Sequence, residues 1–73
     1  MNETKMYGRV KWFDNKTGEG YILGADNESY FFDLLSCVKS DCNFFSGDEV
    51  LFIPNFIDLT ATLVEKSGEN VVN

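Results

Sequence analysis

Through most of this chain apolar and polar residues alternate with a period of two, and short runs of Gly, Asn, Asp and Ser interrupt the alternation. That period sends successive side chains to opposite faces of a pleated strand, so the pattern predicts short strands joined by turns. The segments that qualify run from about Met6 to Phe13, Gly18 to Leu23, Glu28 to Asp33, Glu49 to Ile53 and Thr60 to Lys66. In the first, Val10 is assigned to the core and Arg9 and Lys11 to the outside. Strict alternation would carry Trp12 inward with Val10, whereas a bulge near Lys11 would turn it outward, and bulges are common where a barrel strand bends. In the second, Glu19 and Tyr21 share one face and Gly20 and Ile22 the other. Gly18 and Gly20 flank Glu19 and permit a sharp curve. The third strand places Phe31 and Asp33 on the outer face and Tyr30 and Phe32 in the core. The fourth buries Val50 and Phe52 and is expected to stop at Pro54, which cannot donate to a ladder. The fifth offers Ala61 and Leu63 as its inner face. Between the third and fourth, Leu34 to Asp41 reads as a short helical turn, and Asn43 to Asp48 as a loop that tucks Phe44 or Phe45 under the strands.

Seventy-three residues make one domain, residues 1–73, and cannot cover an open sheet on both sides. The strands are therefore expected to close on themselves, giving an all-β, five-stranded antiparallel barrel of the OB type over about residues 6–66, with polar tails. Nothing repeats, and no linker divides the chain.

The aromatic content of 15% is more than the core of so small a domain needs, so some rings are expected on the surface. The stretch from Val10 to Ile22 reads as strand, tight polar turn and strand. With Phe31 from the next strand it sets Trp12, Phe13 and Tyr21 beside the cations Arg9, Lys11 and Lys16. Flat rings interleaved with positive charge suit a flexible polyanion whose bases can stack, which is single-stranded nucleic acid. The competing reading makes all four rings core; alternation argues against it for Tyr21 and Phe31.

A net charge of −6 opposes a nucleic-acid reading, because such proteins are usually basic overall or on one face. The charge is unevenly spread, however. Residues 1–16 hold Lys5, Arg9, Lys11 and Lys16 against Glu3 and Asp14, while the rest holds only Lys39 and Lys66 against ten acids. The positive charge gathers where the rings are.

Two cysteines and no histidine make a zinc site improbable, and no cofactor is expected. A disulfide between Cys37 and Cys42 is geometrically possible, but two inert thiols in a reducing cytoplasm fit better. The N-terminus lacks an apolar core of signal-peptide length, and no apolar run approaches a membrane span. Glu19 and Asp33 face outward on neighbouring strands, yet no nucleophile, histidine or metal set accompanies them, so they read as solvated carboxylates and the chain as a non-enzyme.

The run G-R-V-K-W-F-D, then T-G-E-G-Y-I, then Y-F-F-D, resembles the cold-shock domain, whose first three strands carry K-V-K-W-F-N, K-G-F-G-F-I and V-F-V-H-F. Residues 8–33 lie on that pattern without a gap. Beyond them the resemblance continues mainly as Ser46-Gly47-Asp48-Glu49-Val50-Leu51-Phe52 and the strand around Ala61-Thr62-Leu63. It implies a five-stranded barrel that binds single-stranded RNA or DNA by stacking bases on aromatics of the first three strands, and the chain is expected to be a monomer. On the pattern, Lys11, Trp12 and Phe13 match its strand-one contacts, Tyr21 its second ring and Phe31 its strand-three phenylalanine. Glu19 replaces the first ring, Thr17 a lysine, Asp33 a histidine and Leu34 a phenylalanine.

Stacking contributes roughly 1–3 kcal/mol per base, so the three missing rings should weaken binding by at least ~3 kcal/mol, more than a hundredfold. The carboxylates of Glu19 and Asp33 also repel phosphates, most at low salt. Two expectations follow: weak binding of single-stranded nucleic acid, or an acidic barrel that contacts a basic protein partner as a decoy.

Overall fold

A computed structural model describes residues 4–38 and 43–67. Its strands are β1 (Met6–Asp14), β2 (Glu19–Gly24), β3 (Ser29–Asp33), β4 (Glu49–Asn55) and β5 (Thr60–Lys66), and a 3₁₀ turn, Leu34–Ser36, follows β3. They close into a barrel in the order β1-β2-β3-β5-β4, with β4 returning to β1. This is the OB-like all-β barrel that the alternation predicts, with one difference: β3 and β5 pair in parallel at Phe31 and Thr60, while the other seams are antiparallel.

The core consists of Val10, Ile22, Tyr30, Phe32, Phe44, Val50, Phe52, Ala61 and Val64. Rings dominate it. Phe32 and Phe44 meet edge to face at 5.2 Å, and Tyr30 and Phe52 lie 5.2 Å apart, so directional ring contacts add to the burial of apolar area. Phe44, and not Phe45, is the residue that closes the barrel from the loop before β4. The Tyr30 hydroxyl reaches the barrel end and donates to Asp26 Oδ2 at 2.6 Å. Burial, then this bond, pushes the Tyr30 hydroxyl up to about 12, and the same bond holds Asp26 below the usual carboxylate range. A raised tyrosine stabilises the fold below pH ~10 and loses that contribution as pH rises through 12; a lowered carboxylate stabilises above its unfolded value and loses it as pH falls. Tyr30→Phe should therefore flatten both limbs of the stability-pH curve, as read from thermal melts across pH.

Two strand expectations are corrected. Leu63 is half exposed, and Val64 takes the inner position. Leu63 has φ of +51°, and the β4–β5 register shifts between Leu51 and Ile53, so an irregularity in β5 reverses the alternation that Ala61 begins. β4 also continues through Pro54 to Asn55, pairing Pro54 with Ala61. The β1–β4 ladder ends at Phe52, so at Pro54 the strand is an edge and a missing N–H disrupts no second ladder.

Of the helical turn expected from Leu34 to Asp41, the described residues show a 3₁₀ turn at Leu34–Ser36, and residues 39–41 lie outside them. Asp33 caps it: Oδ1 accepts from Leu35 N at 3.1 Å and from Ser36 Oγ at 3.2 Å. Asp33→Ala should cost about 1 kcal/mol, measurable as a lower urea midpoint, because it leaves these donors without their acceptor. Cys37 Sγ donates to the Asp33 carbonyl at 3.3 Å. Cys42, the other half of the considered disulfide, lies outside the described residues, as do the tails at residues 1–3 and 68–73.

Candidate nucleic-acid interface

The outer face of β1, β2 and β3 is organised by one extra residue. Val10 pairs with Ile22 and Trp12 with Tyr21, so Lys11 has no partner of its own in the ladder. Such a bulge reverses the parity of everything after it. Lys11 and Trp12 both point outward, and Phe13 turns in. Two features hold the irregularity in place. Gly20 lies against it, and a Cβ there would come within 2.4 Å of the Trp12 carbonyl oxygen, so no larger residue lets the strands approach this closely. From the other side, Ser46 Oγ donates to Lys11 O at 2.9 Å, Gly47 N donates to Val10 O at 2.7 Å, and Val10 N donates to Asp48 O at 2.9 Å.

The bulge puts three rings in register. Trp12, Tyr21 and Phe31 are Cα partners across β1, β2 and β3, with ring centroids 5.7 Å apart for the first pair and 5.6 Å for the second. The planes are tilted by 58° and 71°, so the rings brace one another by edges without stacking on each other. Trp12 is 45% and Tyr21 37% exposed, and Phe31 is partly exposed.

Phe13 does not join this row. Its ring stacks on Phe32 at 5.7 Å and meets the edge of Phe44 at 5.5 Å, which makes it a lid on the core. The sequence placed it beside Trp12 because adjacency in the chain does not reveal which of two neighbours faces out at a bulge.

Charge is banded along the same face. On one side of the rings Asp14, Glu19 and Asp33 are register partners and form an acidic row. Within it Asp14 Oδ1 accepts from Lys16 N at 2.8 Å and Asp33 caps the 3₁₀ turn, leaving Glu19 as the exposed member. On the other side Arg9, Leu23 and Ser29 are partners. Lys11 Nζ reaches across to donate to Ser29 Oγ at 3.0 Å, and Arg9 Nη1 donates to Gly47 O at 3.2 Å. Arg9 and Lys11 thus lie on one side of the ring row, whereas Lys16 sits in the β1–β2 turn at the acidic end. Leu23 also belongs to the face, and its spacing of two from Tyr21 is the signal for it in the sequence.

Chemically, the arrangement offers π-surfaces at the centre, cations at one end and repulsion of anions at the other. Among the described residues no group of His, Cys, Asp and Glu could hold a metal ion, and no helix is long and apolar enough to cross a membrane. No protein-family model and no curated protein matches the chain.

Proposed function

We propose that this barrel binds single-stranded nucleic acid, RNA or DNA, in the manner of a cold-shock domain, as a cytoplasmic binding module and not as an enzyme. The observation that carries the reading is the row Trp12, Tyr21, Phe31: three outward rings in register on rigid strands, bordered by Arg9 and Lys11. Bases stack on the rings, and phosphates lie near the two cations. The rigid mounting limits the ordering entropy lost on binding.

Titration with oligothymidylate in ~50 mM salt should change Trp12 fluorescence. With two cations in contact, log K should fall with log salt at a slope of about −1.4. Unaltered fluorescence up to high micromolar oligonucleotide would overturn the reading. Glu19→Phe, which adds a ring two residues from Tyr21 and removes the exposed carboxylate of the acidic row, should tighten binding by ~1 kcal/mol or more, about fivefold. Equal affinity for variant and parent would show that this face is not where the strand lies.

The acidic row Asp14, Glu19, Asp33 supports a second reading, in which the barrel contacts a basic nucleic-acid-binding protein. Salt-sensitive association with such a protein, without oligonucleotide binding, would select it.

A further inference from the structure

Beyond the cationic end of the ring row lies a groove of about 270 Å³ lined by Tyr7, Arg9, Leu23, Asn27 and Glu49, with Gly8, Gly24 and Ala25 completing it. We propose that this groove is a separate base-reading seat, which takes one unpaired base carrying an exocyclic amino group; the proposal rests on the nucleic-acid reading above.

Continuity with the ring row is the first reason. Leu23 is two residues beyond Tyr21 on the same face of β2, a separation of about 7 Å. A strand stacked on the rings has only two ways to leave them along β2. One leads over Asp14, Glu19 and Asp33, which repel phosphates; the other passes Lys11 and Arg9 and enters the groove. Charge therefore selects the exit.

Size and chemistry supply the second reason. Pockets for drug-sized ligands run from about 300 to 1,000 Å³, and this groove falls just below, so it suits a smaller ligand such as one base with its sugar. The Tyr7 ring, 55% exposed, gives a stacking surface, and Leu23, 40% exposed, an apolar wall. Arg9 uses one N–H on Gly47 O, and a guanidinium carries further donors for a phosphate. Glu49 is the reading group. It is exposed on β4 opposite Arg9, and an ionised carboxylate only accepts hydrogen bonds, so it favours the amino group of cytosine or adenine over the carbonyl that thymine or uracil presents at the same position.

The test is a substitution scan. Cytosine replaces thymine at each position of a short oligothymidylate in turn, with Trp12 fluorescence reporting the ring row and affinity reporting the seat. A preference for cytosine of about 3- to 10-fold at one position near an end is expected. Glu49→Gln should abolish that preference while Trp12 still responds. Tyr7→Ala should weaken long oligonucleotides several-fold and leave those too short to reach the groove unchanged. Both side chains are exposed, so the core is untouched. A flat scan with an intact Trp12 response overturns the seat and leaves the ring row standing. No Trp12 response to any oligonucleotide overturns both.

Discussion

Replacing Trp12 and Tyr21 together by alanine should abolish measurable oligonucleotide binding. At roughly 1–3 kcal/mol per stacked base, the pair accounts for ~2–6 kcal/mol, a loss between about 30-fold and more than 10⁴-fold. Fluorescence anisotropy of a labelled oligonucleotide reads the result, since the variant no longer has the tryptophan. Circular dichroism should show a retained barrel, because both rings stand outside the core and only surface edge contacts, with each other and with Phe31, are lost. The single variants should each lose part of this affinity. Their sum is expected to differ from the double, because Tyr21 braces both Trp12 and Phe31 and its removal loosens the neighbours as well. Binding by the double variant at parental affinity would remove the ring row from the interface.

Phe32→Ala should leave most of the protein unfolded at 25 °C. Phe32 is fully buried and touches Phe13 and Phe44, so truncation opens a cavity beside these two rings. Such changes typically cost 3–5 kcal/mol, as much as a single core of this size is expected to supply, roughly 3–5 kcal/mol. Loss of the cooperative urea transition would be the readout. A transition near the parental midpoint would mean that the Phe13–Phe32–Phe44 cluster collapses around the gap.

Much of the barrel is legible in the chain because the period of two is strong where one face is buried. Val10, Ile22, Tyr30, Phe32, Val50, Phe52 and Ala61 all occupy the inner positions that alternation assigns. The failures sit where the period breaks. At Lys11 the residue types leave a regular strand and a bulge both open, and only the bulge turns Trp12 outward and Phe13 inward. At Leu63 nothing in the residue type announces a left-handed backbone, so the alternation that points Leu63 inward breaks there without a local signal. Pro54 reads as a stop in the sequence, yet a proline's missing N–H matters only if a neighbour needs it, and strand order, which decides that, is not written locally. For the face, residue types identified rings and cations, but their banding depends on cross-strand register. Asp14, Glu19 and Asp33 become one row, and Arg9 and Lys11 another, only when three strands are aligned. Asp33 shows the limit most clearly: read as a carboxylate facing a ligand, it is also the acceptor that starts the next turn.

The three rings all lie on consecutive strands joined by tight turns, whereas the barrel is sealed by β4 and β5 from the far part of the chain. Pairings between near neighbours cost little loop entropy, and the sealing contacts cost more. On that ground the meander of β1 to β3, which carries the three outward rings, is expected to form before β4 and β5 close the barrel, so the aromatic row and the closure would belong to different stages of assembly.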